Sequence, residues 1–121
     1  MSGEIVAVIN DLMQELTAAG IPTVTDPDLL LPNLADMPIC ALISPPNATA
    51  YGVSGEVDLD IPVSLAYRPP GGYIELVPAL EALPAILYIT GGEARSTRLS
   101  IADHVFPAYA FVATQHVEIP R

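Results

Sequence analysis

The sequence contains no lysine, and its permanent positive charge comes from four arginines. Fourteen acidic residues stand against them, which gives a formal net charge of −10 at pH 7. Proteins that bind nucleic acid neutralise its phosphates with clustered cations, whereas a chain this acidic would repel duplex DNA or RNA. The charge balance therefore argues against a nucleic-acid-binding protein.

Only one cysteine is present, Cys40, so the chain has neither an internal disulfide nor a cluster of thiolate metal ligands. It lies in the apolar run from Ile39 to Ile43, where a small core residue is a better interpretation than a nucleophile. Because this run is apolar on both faces, it predicts a central strand that is covered on each side.

Charged residues are scarce, at 15% against about 25% in an average soluble domain. Both a membrane protein and a soluble subunit that buries surface against its neighbours fit that composition. However, no uninterrupted apolar run reaches the ~18 residues that span a bilayer, and the N-terminus lacks the pattern of a signal peptide. We therefore expect a homo-oligomer with no membrane segment, and one domain over residues 1–121.

The clearest pattern is strict alternation from Glu56 to Tyr67, which predicts a long, half-buried strand. Its apolar positions are Val57, Leu59, Ile61, Val63, Leu65 and Tyr67. The carboxylates of Glu56, Asp58 and Asp60 share the opposite face, where a solvated surface is a simpler interpretation than a calcium site. Pro62 lacks an amide donor, so there the strand must be an edge, a bulge, or paired only on its other side.

Two helices are predicted around this strand. The first is capped by Ser2, ends at Gly20, and buries a stripe of Ile5, Val8, Ile9, Leu12, Met13 and Leu16. The second carries a leucine stripe at Leu76, Leu80, Leu83 and Leu87, and its prolines predict a start near Pro78 or a kink around Leu80. We expect a shared core of Leu59, Ile61, Val63, Leu80 and Leu83.

The remaining segments are shorter. We predict a strand at 23–25, a helical turn opened by Asp26 that ends before Pro32, a loop up to Pro38, and a polar loop over 47–54. Strands follow at 95–102 and from Tyr109 onward, with a turn over 103–107. This order predicts an α+β fold with a mixed, mostly antiparallel sheet and two main helices packed on one face.

Residues with catalytic potential are few. A catalytic triad could be formed only from Ser100, Asp103, His104 and His116. None of them lies in a nucleophile-elbow pattern. The two Gly-Gly pairs do not match phosphate-binding loops, and the histidines lack the spacing of a helical metal pair. We therefore expect no enzyme activity, no cofactor and no bound metal.

Several small motifs, taken in this order, are familiar. They are the strand from Val57 to Val63, the turn Arg68-Pro69-Pro70-Gly71-Gly72, and the segment from Pro107 to Phe111. With the helices around them they resemble the tail terminator proteins of long-tailed (siphovirus-like) bacteriophages. The likeness spans nearly the whole chain and rests on element order and small motifs. It implies a small α+β subunit of a closed ring, usually a hexamer, that caps the tail tube, stops its polymerisation and joins the tail to the head.

The resemblance also implies partners and a location. The partners are the tail tube protein and the head–tail connector protein, while DNA passes through without specific binding. The location is the head-proximal end of the virion tail, after assembly in the host cytoplasm.

Within such a ring, charge suggests roles for particular residues. We expect Glu56, Asp58 and Asp60 to face the lumen, because carboxylates keep DNA from sticking. Arg68, Arg95 and Arg98 are the candidate subunit-interface residues, since a guanidinium pairs with a neighbour's carboxylate. The alternatives are another phage head–tail connector, such as a head completion or stopper protein, or a small acidic ligand- or metal-binding domain.

Overall fold

The computed structural model describes residues 3–51, 55–69 and 72–118. In these ranges the chain has the predicted α+β fold, with a mixed, mostly antiparallel sheet. The elements in chain order are α1 (Gly3–Ala18), β1 (Thr23–Val24), a 3-10 turn (Pro27–Leu29), α2 (Leu30–Asp36), β2 (Ile39–Ile43), β3 (Asn47–Tyr51), β4 (Glu56–Tyr67), α3 (Tyr73–Thr90), β5 (Arg95–Ile101) and β6 (His104–Glu118). The strand order is β1-β2-β4-β6-β5, with β3 also paired to β4, and the β1–β2 pair is parallel.

Strand β4 is the long strand that its alternation predicted, and it lies at the centre of the sheet. One of its edges pairs with β6 along almost its whole length, and the other is shared by β2 and β3. Pro62 lies opposite the gap between β2 and β3 and pairs only with Val112 of β6. In that gap its carbonyl oxygen accepts a hydrogen bond from the amide of Ser44, at 2.9 Å. The missing amide of Pro62 therefore costs no ladder bond, and of the three predicted alternatives the structure shows pairing on one side only.

The larger core lies between one face of the sheet and helices α1 and α3. Its buried residues include Leu12 and Leu16 of α1, Leu59 and Ile61 of β4, and Phe111 of β6. Helix α1 ends as predicted. Gly20 has φ 83°, its amide donates to the Thr17 carbonyl at 3.0 Å, and the amide of Ile21 donates to the Leu16 carbonyl at 3.1 Å. This pair of bonds is a Schellman motif, which satisfies the last carbonyls of the helix.

A second core lies on the opposite face of the sheet, beneath α2. Its buried residues are Val24, Leu30, Leu34, Cys40, Leu42, Ala66, Phe106 and Ala108. Strand β2 is consequently buried at all five positions, as predicted. Burial raises the pKa of the Cys40 thiol to about 11, which suits a core residue and not a nucleophile.

Helix α2 corrects the prediction of a loop up to Pro38. Asp26 does cap this segment, since its Oδ1 accepts from the amide of Asp28 at 2.9 Å. However, the helix continues past Pro32 to Asp36. Pro32 lies in the first turn of α2, where backbone amides lack helical acceptors, so a proline is tolerated there.

Helix α3 also differs from its prediction. It begins at Tyr73, not near Pro78, and Leu80 is 40% exposed instead of buried in the core. Leu83 is partly buried against the core, while Ala79 and Ile86 are the fully buried residues of the helix. Because α3 is apolar on almost every side, its leucine spacing did not identify the face that meets the sheet.

Two strand boundaries were wrong as well. The predicted polar loop over 47–54 contains β3, which bonds to β4 through main-chain groups and needs no apolar side chains. The predicted turn over 103–107 is mostly strand, because Ile101 pairs with His104 and the chain reverses at Ala102, with φ 52°, and Asp103. Predictions for Ser2, for the rest of the 47–54 loop and for residue 119 lie outside the described residues.

Candidate functional site

The predicted acidic strand face is present at the N-terminal end of β4. In β4, residues that alternate with the buried Leu59 point away from α1 and α3. The register places Asp58 opposite His116 and Asp60 opposite Thr114 of β6. Directly opposed residues of antiparallel strands share one face. We define the acidic sheet face as Glu56, Asp58, Asp60, Thr114 and His116.

The carboxylates of this face are engaged by β6. His116 places Nδ1 2.9 Å from Oδ1 of Asp58 and Nε2 3.6 Å from Oε1 of Glu56. The Thr114 hydroxyl donates to Oδ1 of Asp60 at 3.1 Å. Sequence reasoning considered His116 only as a catalytic or metal-binding residue and missed this cross-strand role. The face is therefore a hydrogen-bonded surface in which one titratable cation offsets part of the negative charge.

The pKa of His116 follows from this geometry. The hydrogen bond to Asp58 raises the pKa above its ordinary value, burial of the ring opposes the rise, and Glu56 adds to it. Since the folded-state pKa is raised, the stabilisation is fully present below the ordinary pKa of about 6.5 and is lost as pH rises through the raised pKa. Protonation of His116 thus makes the face less negative in mildly acidic solution than in basic solution.

Replacing Asp58 by asparagine should lower the pKa of His116, because the amide keeps the size of the side chain but removes its charge. An NMR titration of the His116 ring resonances would measure the change. Asp60→Asn is the matched control, since Asp60 bonds to Thr114 and should leave the midpoint nearly unchanged. An identical midpoint in wild type and Asp58→Asn would contradict the assigned cause.

The three predicted interface arginines have different environments. Arg68 donates from Nε to the Leu34 carbonyl at 2.7 Å and from Nη2 to the Ala35 carbonyl at 3.3 Å. It thereby satisfies carbonyls in the last turn of α2, a favourable place for a cation. Arg95 pairs with Glu93 on the surface, with Nη2 2.6 Å from Oε1.

Arg98 is exposed and makes neither a hydrogen bond nor an ion pair within the described ranges. The three arginines therefore share no acceptor among the described residues. The structure leaves one guanidinium without a partner inside its own subunit, as far as the described residues extend.

An exposed apolar surface on α3 was not predicted. Tyr73 is 77% exposed, Ile74 83% and Tyr88 91%. With Leu80 they fall within an arc of roughly 120° at 3.6 residues per turn, opposite the side that meets the sheet. We call Tyr73, Ile74, Leu80, Pro84 and Tyr88 the apolar α3 face. Glu81 is the charged residue in this arc. The sequence analysis missed this face, because it assigned Leu80 to the core and did not consider Tyr73, Ile74 or Tyr88.

In the described part of the chain, α3 is also a helix long and apolar enough to cross a membrane. This is a weak indication, because it considers length and composition only, and the core helix of a soluble protein can meet the same criteria. Ala79 and Ile86 of α3 pack on the sheet. The expectation of no membrane segment stays a prediction.

Neither similarity to known proteins nor a group of metal ligands among the described residues assigns a function to these surfaces. No family model matches the chain, and no curated protein matches it in sequence. Across residues 3–51, 55–69 and 72–118, no group of three or more His, Cys, Asp or Glu side chains is placed to hold a metal ion. A function is therefore inferred from the acidic sheet face, the apolar α3 face and the exposed Arg98.

Proposed function

We propose that the chain is the subunit of a phage tail terminator ring, which caps the tail tube and joins it to the head connector. The observation that carries the proposal is the apolar α3 face, because contiguous exposed apolar surface marks sites of association. A ring closes through heterologous contacts, in which two different faces of each subunit meet. The proposed occupant of the apolar α3 face is therefore the adjacent copy of the same chain.

The low charge of the apolar α3 face favours another copy of the chain, and not a charged protein, as its partner. The whole chain carries a net charge of −10, yet Glu81 is the one charged residue of α3 within the arc of the apolar α3 face. Burying charges without partners is costly, so a nearly neutral patch is the part of an acidic protein best suited to contact between like subunits.

The size of the face suggests when the ring forms. Complete burial of a large apolar side chain contributes about 1.5–3 kcal/mol, whereas association costs roughly 4–15 kcal/mol of lost freedom. The large side chains of the apolar α3 face are four, Tyr73, Ile74, Leu80 and Tyr88. Their burial comes close to offsetting that cost. Free subunits are consequently expected to be largely monomeric, with the ring completed on the end of the tail tube.

The acidic sheet face is the proposed lining of the lumen. It lies on the opposite side of the sheet from α1 and α3, so contacts through α3 leave it uncovered. Carboxylates repel DNA within a Debye length of about 8 Å at physiological salt, which favours passage without binding. Protonation of His116 would weaken that repulsion. The lumen position of Glu56, Asp58 and Asp60 stays a prediction.

The test is electron microscopy of the purified protein, alone and mixed with tail tubes from a phage that lacks its terminator. We expect rings, sixfold by the resemblance, at one end of each tube, and tubes that no longer lengthen when tube protein is added. Uncapped tubes that continue to grow would contradict the proposal. Rings that bind the head connector but not the tube would indicate a stopper or head completion protein instead.

A reconstruction of the capped tube also tests the lumen assignment. If the acidic sheet face pointed outward, that assignment would be wrong while the ring itself would stand.

A further inference from the structure

A groove of about 470 Å³ lies where the end of β4 meets β5 and β6. Tyr67, Pro69, Val105 and Pro107 supply the apolar part of its lining. Tyr67 is held in place by stacking on Tyr109, with ring centroids 6.2 Å apart. Arg98 of β5 lies opposite Pro107 in the strand register and brings the groove its positive charge. Ser96 and Thr97 of the same strand also line the groove.

The groove combines features of an anion site. A guanidinium offers up to five donors in a planar fork, and it binds carboxylates and phosphates bidentately. Arg68 and Arg95 use their donors on partners within the subunit, whereas Arg98 has none among the described residues. Val105 is 53% exposed at the same place, so the site offers apolar contact beside an unused cation.

A carboxylate suits this groove better than a phosphate. Among the described residues that line it, Arg98 is the one cation, and it balances the single charge of a carboxylate. The surrounding protein is strongly acidic and repels a polyanion. Carboxylates are abundant in the chain itself, with 14 acidic residues. The commonest anion available in an assembly of identical subunits is thus an aspartate or glutamate of another copy.

The position of β5 agrees with such a partner. It is the outermost strand beside β6, so its far edge carries main-chain groups that no other described strand pairs. An extended segment can pair along such an edge while its side chains enter adjacent pockets. This surface is on a different element from the apolar α3 face, and a heterologous ring contact requires two distinct surfaces.

We propose that the Arg98 groove binds a carboxylate on an extended segment of the adjacent subunit. This inference rests on the proposed ring and adds to it the residue that sets the register between copies. Arg98 is exposed and has no partner among the described residues of its own subunit, so its replacement should leave the stability of the monomer nearly unchanged.

The absence of lysine makes a direct test possible. Arg98→Lys introduces the only side-chain amine of the chain, and a carbodiimide converts an amine–carboxylate contact into an amide. After assembly on tail tubes and treatment with carbodiimide, we expect a covalent dimer whose mass-spectrometric map joins position 98 to an acid of another copy. Arg95→Lys is the matched control on the same strand, and it should cross-link to Glu93 of its own chain.

Charge reversal provides the second measurement. Arg98→Glu should reduce the fraction of capped tubes at least tenfold at low salt, while Arg95→Glu should stay within about twofold of wild type because surface ion pairs contribute little. Thermal unfolding of both variants checks that the subunit is intact.

The outcomes separate this inference from the proposed function. If wild type caps tubes but position 98 gives no cross-link between copies and Arg98→Glu caps normally, the groove assignment is overturned and the ring stands. If wild type caps no tubes, the proposed function fails, and the groove assignment fails with it unless the cross-link still joins two copies. A cross-link only to an acid of the same chain would also overturn the groove assignment.

Discussion

Replacing Phe111 by alanine is expected to lower the free energy of unfolding by about 3–5 kcal/mol. The side chain is 2% exposed and pairs across the strands with Val63, in the core beneath α1 and α3. Truncation removes its transfer free energy and leaves a cavity, because neighbours on a rigid sheet cannot close around the space. Urea unfolding with an unchanged slope would measure the loss as a shift of the midpoint.

Leu80→Ala is the informative comparison for this experiment. The leucine stripe predicted Leu80 in the core, which would make its loss costly, whereas the structure leaves the side chain 40% exposed. We now expect a cost below about 1 kcal/mol, since partly exposed side chains lose little on truncation. A cost comparable to that of Phe111→Ala would mean that α3 meets the sheet through a different side.

Tyr88→Asp is expected to abolish capping of tail tubes while leaving the subunit folded. Tyr88 is 91% exposed, so the monomer loses almost no packing. In the assembled ring the introduced carboxylate would be buried in an apolar contact, and burying an unpaired charge costs far more than the contact provides. Capping measured by microscopy, together with circular dichroism of the free subunit, gives both quantities.

Two controls make this result specific to the apolar α3 face. Tyr88→Phe keeps the apolar ring and should cap tubes as wild type does. Asn10→Asp adds the same charge on the exposed side of α1 and should change capping less than twofold, because exposed charges interact weakly. Normal capping by Tyr88→Asp would show that this face is not a subunit contact. Flotation of wild type with phospholipid vesicles, reduced by Tyr88→Asp, would indicate that the face meets lipid instead.

The sequence alone determined those features that depend on neighbours along the chain. Alternation in β4 predicted the burial of Leu59, Ile61, Val63, Leu65 and Tyr67, because side chains of a strand point to opposite faces in turn. It did not predict the burial of Ala66, which the second core covers. Gly20 predicted the end of α1, since glycine accepts the left-handed conformation that its φ of 83° shows. The apolar surroundings of Cys40 predicted its burial. Each of these inferences needed only a local period or a local conformational preference.

The orientation of α3 was beyond such reasoning. A helix that is apolar on nearly every side has no distinct polar face, so Ala79 and Leu80 could not be distinguished as the residue that meets the sheet. Tertiary packing places Ala79 in the larger core and leaves Leu80 40% exposed. The apolar α3 face is a consequence of this orientation.

Contacts between distant segments were decided by tertiary structure as well. His116 meets Asp58 across 58 positions of sequence, and Arg68 reaches Leu34 across 34. Strand register and the placement of α2 create these pairs, and neither leaves a periodic signal in the sequence. The same holds for Arg98. Arg98 has no partner among the described residues, whereas Arg68 and Arg95 fold onto acceptors of their own subunit. Composition could not reveal this difference, because all three are the same residue type.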